Sequence, residues 1–315
     1  MMSDVSAIHV EEHRITTRDN RSLIATLYRP PQNNGAVILI APAMGVKQTY
    51  YRHYASFLAE QGFVTLTFDY RGIGQSLKDN LWSDKAGLLD WGAEDMQAML
   101  SWLLRQYPNH DLFVIGHSIG AKILGLTRSG HRVKGLLGIS SANVYWRLWP
   151  LYMQPYLFIF WYILLPLSTY AMGYFPSNIF GLGEKLPSGV GKDWSRMARS
   201  RYSVLTMYGE TKDNHYAAFE GNFTLITFSD DSLIPNSAAA DELLDYYPNA
   251  KNKHHLRINP ATVGQDKIGH LGFFRSKMRD ALWQESVDYL LKPQSQNLVE
   301  DKETLPSLKP SEAAS

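Results

Sequence analysis

The run Gly116-His117-Ser118-Ile119-Gly120 sets a serine midway between two glycines, directly after the apolar residues Leu112-Phe113-Val114-Ile115 and directly before the helix-prone residues 121–128. A strand, a sharp turn and a helix in that order force the middle residue into strained backbone geometry. They also leave no space for a Cβ two positions to either side. The Ser118 hydroxyl is then held in the open at the carboxyl end of a strand, with a helix N-terminus behind it. That geometry suits a nucleophile. Such a pentapeptide also fits an ordinary strand-to-helix loop, so the partners a serine needs must be sought elsewhere in the chain.

A serine hydroxyl attacks poorly near neutral pH unless a base takes its proton, and the base must be oriented by an acid. In Ile268-Gly269-His270-Leu271-Gly272, a histidine sits between glycines in a loop after the last predicted strand, and His270 is the expected base. His254 and His255 are neighbours on a strand and cannot both face one site. His117 belongs to the serine turn and is expected to pack or hydrogen-bond locally. For the acid, Phe228-Ser229-Asp230-Asp231-Ser232 puts two carboxylates just past a strand end, and both Asp230 and Asp231 are candidates.

The elements that must position these groups follow from hydrophobic periodicity. Residues 10–16 and 22–28 read as paired strands around Asp19-Asn20, and residues 36–41, 63–68, 112–115, 133–139, 222–228 and 254–258 read as further strands. Helices are predicted over residues 50–61, 92–106, 238–247 and 276–291. Strands alternating with helices predict an α/β fold with a mostly parallel sheet and helices on both faces. The alternation breaks after residue 142 and resumes at 222. The expected organisation is therefore a core over 1–142 and 222–292, an aromatic-rich cap inserted over 143–221, and a disordered tail over 293–315 rich in Pro, Ser, Glu and Lys.

Composition narrows the function. The 315 residues carry a formal net charge of +1 and no cysteine. This gives no basic field for nucleic acid and excludes disulfides, thiolate metal sites and a cysteine nucleophile. No metal-ligand pattern or phosphate-cradling loop is visible, so neither metal nor cofactor is expected. Residues 1–10 lack the pattern of a secretory signal, which makes the cytoplasm the expected location.

The order Ser, Asp, His resembles that of the α/β-hydrolase superfamily, as does Asp69-Tyr70-Arg71-Gly72-Ile73-Gly74-Gln75-Ser76, which is similar to its Asp-x-Arg-Gly-x-Gly-x-Ser turn. Within it the chain looks most like the serine aminopeptidase-like branch and a bacterial group of predicted hydrolases. The resemblance implies an eight-stranded α/β-hydrolase sheet and a Ser118–His270–Asp231 triad. Asp231 is preferred because such acid loops resemble Asp-x-x-x-Pro and Pro235 follows it at that distance; Asp230 is then a helper that holds the loop. It also implies an oxyanion site from the amide of Ile119 and one in Ala41-Pro42-Ala43-Met44-Gly45. Ala43 is the expected donor and Met44 the fallback. Many relatives have His-Gly where this chain has Ala41-Pro42.

The cap residues Tyr145, Trp146 and Trp149, with Met44 and His117, are expected to border the substrate, and no charged side chain occurs over residues 148–183. An apolar ester or acyl group suits such a wall. Pro166 is expected to interrupt the long apolar stretch over 156–175, so a crossing is not expected. Packing of the cap against the core is the expected use of its aromatics, with weak contact with a membrane surface as an alternative. Peptide hydrolysis, acyl transfer and non-catalytic ligand binding are the rival readings.

Overall fold

The computed structural model describes residues 7–205 and 214–291. The tail expected over 293–315 lies outside the described residues.

Eight strands form one sheet: β1 (His9–Thr16), β2 (Ser22–Arg29), β3 (Ala36–Ala41), β4 (Val64–Phe68), β5 (Asp111–His117), β6 (Val133–Ile139), β9 (Asn222–Phe228) and β10 (Lys251–Ile258). A short antiparallel ribbon, β7 (Tyr174–Phe175) with β8 (Leu186–Pro187), lies between β6 and β9 in the chain. The sheet order is β1-β2-β4-β3-β5-β6-β9-β10. β2 runs antiparallel to both its neighbours, and all other pairs are parallel.

β3 and β4 are buried along their whole length, as continuous apolar runs require in a sheet covered on both sides. Alternate residues of β3 serve opposite faces. Val37, Leu39 and Ala41 join a core with the helices Gln97–Gln106 and Ser237–Asp245, whereas Ile38 and Ile40 join a second core with the helices Arg52–Glu60 and Gln284–Leu291. β1 closes the sheet as a half-exposed edge carrying His9, Glu11, His13 and Arg14.

The Asp69 to Ser76 segment is a structural turn. The Asp69 carboxylate accepts from the amides of Gln48 (2.7 Å) and Gln75 (3.0 Å). Gly74 has a φ of 49°, and a Cβ there would lie 2.5 Å from Asp69 Oδ2. Buried Arg71 donates from Nε to Asp95 (2.6 Å) and from Nη1 to Asp19 (2.6 Å), fastening the turn to the helix below and to the β1–β2 connection.

The segment between β6 and β9 holds the helix Gln154–Met172, which is not interrupted at Pro166. A π-helical stretch, Phe160–Leu164, precedes the helix Leu165–Met172, and its wider turn accommodates a residue without an amide hydrogen. This helix is long and apolar enough to cross a bilayer. Its inner residues Trp161, Leu165 and Thr169 are nevertheless buried against the rest of the fold.

Candidate active site

Ser118 occupies the bend between β5 and the helix Ile119–Lys122 with φ 53° and ψ −113°, a conformation costing an L-residue roughly 1–3 kcal/mol. Both flanking glycines are obligatory on steric grounds. A Cβ at Gly116 would lie 2.4 Å from the Ala121 nitrogen, and one at Gly120 would lie 2.2 Å from the Ala41 carbonyl oxygen. The bend is pinned from β6 and the residues just after it, since the Ser118 amide donates to the Ile139 carbonyl (2.9 Å) and Ser141 Oγ donates to the Ser118 carbonyl (2.7 Å).

His270 and Asp231 meet. Nδ1 of His270 lies 2.8 Å from Asp231 Oδ2, and the Asp231 side chain is fully buried. A carboxylate acceptor there fixes the tautomer with the proton on Nδ1 and leaves Nε2 unprotonated. Asp231 Oδ1 accepts from the Leu233 amide (2.9 Å). Asp230 instead accepts from the amides of Ile268 (2.9 Å) and Gly269 (3.0 Å), holding the loop that carries the imidazole. Ser118 and His270 line the same cavity. No hydrogen bond joins Ser118 Oγ to the His270 ring; contacts of this kind often tighten only when substrate binds.

A second histidine ties the loops together. His117 is completely buried and its Nε2 donates to the His270 carbonyl (2.9 Å). Its Nδ1 must then accept from the Tyr51 hydroxyl (2.8 Å), whose oxygen in turn accepts from the Ala43 amide (2.9 Å). The chain Ala43–Tyr51–His117–His270 thus links three loops through a neutral imidazole, and burial holds His117 well below the ordinary value of 6.5. His117 does not border the cavity as expected; it is a positioning residue beneath it.

The same chain overturns the choice of Ala43 as an oxyanion donor, because its amide is already committed to Tyr51. Among the described residues the amides of Met44 and Ile119 have no acceptor, and both residues line the cavity with Ser118. Met44, the fallback, is the amide of that loop left free on the cavity wall.

The cavity measures about 340 Å³. Of the expected border residues, Met44 and Trp149 line it, whereas Tyr145 and Trp146 do not. Trp146 packs instead on Phe158 and Tyr162, with its centroid 5.6 and 6.2 Å from theirs. The sequence reading missed Lys122, Met153, Trp194 and Met197 as lining residues. The two methionines and the tryptophan carry no local signal that separates cavity wall from core.

The family described as "Serine aminopeptidase, S33" matches residues 32–165. Several solved structures are similar across nearly the whole chain. A soluble variant of monoglyceride lipase from Saccharomyces cerevisiae, in complex with a substrate analog, has a TM-score of 0.61 at 13% identity, covering 93% of this chain and 98% of that one. An esterase of Pyrococcus furiosus has a TM-score of 0.55 at 15% identity, covering 92% of each chain. The esterase domain of a Rhodothermus marinus protein has a TM-score of 0.53 at 15% identity, covering 89% and 96%. At these identities the likeness speaks to the fold.

The neutral state of His117 has a measurable consequence. An unfolded chain restores an ordinary imidazole, so below about pH 6.5 the unfolded state binds a proton that the folded state refuses, and stability falls with pH. Above that pH the term vanishes. In His117→Gln, the loss of unfolding free energy between about pH 6.5 and 5 should shrink by up to about 1.4 kcal/mol per pH unit in urea titrations. His255, also held low by burial, titrates in both proteins and cancels. Equal slopes in the two proteins would contradict the neutral relay.

Proposed function

We propose that the chain is a serine hydrolase of the α/β-hydrolase superfamily, cleaving carboxylic esters or thioesters of apolar acyl groups. The observation that carries this is the 2.8 Å His270–Asp231 pair on the wall of a cavity that the strained bend at Ser118 also lines.

Ser118 Oγ attacks the acyl carbonyl while His270 Nε2 takes its proton, and Asp231 stabilises the imidazolium through Nδ1–H. The negative charge developing on the carbonyl oxygen is met by the amides of Ile119 and Met44, the former at a helix N-terminus. His270 then protonates the departing alcohol or thiol. Water, giving its proton to the same imidazole, attacks the acyl-enzyme and releases the acid. Trp149, Leu157, Phe160 and Trp161 on the cavity wall suit an apolar acyl chain rather than a charged peptide. Amide hydrolysis by the same residues is the second reading, favoured by the description of the matching family.

We also propose that the inserted segment rests on a membrane surface. Tyr156, Ile159, Ile163, Leu167 and Tyr170 recur at spacings of three or four along the helix Gln154–Met172, and all are exposed, Tyr170 by 84%. With Phe158, Tyr162 and Leu164 also exposed, the outward surface is broad, apolar and uncharged, while Trp161, Leu165 and Thr169 pack inward, the arrangement of a helix lying in an interface rather than crossing it.

Two experiments test these readings. Turnover of medium-chain nitrophenyl esters should fall by about 10³–10⁴-fold or more in Ser118→Ala and about as far in Asp231→Asn, with aminoacyl amides turned over more slowly than esters. Ser118→Ala retaining activity, or amides turned over faster, would refute the ester reading. The purified protein should float with phospholipid vesicles, and a Leu167→Glu/Tyr170→Glu double variant should not; equal flotation of both, or of neither, would refute the surface contact.

A further inference from the structure

Lys122 is the last residue of the helix that starts at the Ser118 bend, one turn beyond the serine and about 6 Å along the axis. It is 2% exposed and is among the largest fully buried side chains. It lines the cavity together with Ser118, and its ammonium has no hydrogen bond or ion pair among the described residues. Among the described residues, the only other titratable group on that wall is His270, whose Nδ1 is already engaged by Asp231. The rest of the lining is mainly apolar, including Val144, Leu157 and Met197. Its other polar side-chain groups include the hydroxyls of Ser118 and Ser232 and the Trp161 Nε1–H, which has no partner among the described residues.

A cation buried without a partner is costly, and an unbranched thioether side chain would fill the same space without the penalty. A group kept at that cost inside a ligand cavity is explained if the ligand supplies the missing partner. We propose that Lys122 binds a carboxylate carried by the apolar part of the substrate, so that the preferred substrates are half-esters, with the scissile ester at Ser118 and a free acid further along the chain. The inference rests on the serine-hydrolase reading for the location of the scissile bond. A single ammonium matches one carboxylate charge for charge, and the mainly apolar lining suits an acid carried on an alkyl chain. Burial lowers the Lys122 pKa to about 7, so above that pH an acid entering beside the amine draws a proton onto it.

The test is calorimetric binding to Ser118→Ala protein at pH 8, in two buffers of different ionisation enthalpy. The probes are monomethyl esters of dicarboxylic acids from succinate to sebacate, each paired with its dimethyl ester. For at least one chain length the half-ester should bind about 10-fold tighter than the diester, with uptake of close to one proton. Adding Lys122→Met should abolish both the preference and the uptake. The Lys122→Met protein should also melt higher than its parent, since folding no longer has to strip an amine of water and of its proton. Diesters binding as tightly as half-esters at every length would overturn the proposal. So would a half-ester preference that survives Lys122→Met, which would place the acid against the Met44 and Ile119 amides. A lower melting temperature would mean the ammonium already has a partner in the free protein, and would overturn it too. Binding needs no turnover, so failure of the hydrolase reading would register separately, as activity independent of Ser118.

Discussion

The backbone of Ser118 is held where an L-amino acid does not rest by choice, and the site is organised around keeping it there. The bend requires that Gly116 and Gly120 carry no side chain, because the Ala121 backbone and the Ala41 carbonyl already fill the places where one would go. The end of β6 at Ile139 and Ser141 just beyond it supply the opposing restraints. With the strain offset by a closely packed centre of the sheet, the hydroxyl needs no rearrangement to face the cavity. A helix N-terminus at the next residue leaves the Ile119 amide free for negative charge.

The remaining groups arrive on separate loops, and buried hydrogen bonds hold these loops in register. Asp230 fixes the backbone before His270, while Asp231 takes the imidazole itself, so adjacent carboxylates divide the work between loop and ring. Tyr51 and His117 join the loop after β3 to the loop bearing His270. This relay works only with an uncharged His117, because its Nδ1 must accept. Its burial and its role in alignment are therefore one requirement.

Much of the sheet was legible in the sequence because its strands are short, apolar and bounded by turn residues. The strand, turn and helix around Ser118 announce themselves through two glycines. The approach of His270 and Asp231 was legible only as an order along the chain. Other features are set by partners remote in sequence. Ala43 was the expected oxyanion donor, but Tyr51, brought over by the following helix, occupies its amide. Tyr145 and Trp146 belong to a dense aromatic run, and composition does not say which rings turn toward the cavity. The helix through Pro166 continues because a π-helical stretch precedes it, which a proline rule applied to an α-helix does not anticipate. Lys122 gave no signal because its helix has four residues, too few for periodicity to mark a buried face.

Mapping the adduct of a fluorophosphonate reagent tests the nucleophile most directly, since such a reagent bonds covalently to an activated serine. Digestion and mass spectrometry of the labelled native protein should find a single modification on Ser118, with labelling slowed by about 10³-fold or more in His270→Ala. A native protein that stays unmodified at Ser118, is labelled elsewhere, or reacts equally fast without His270 would contradict the account.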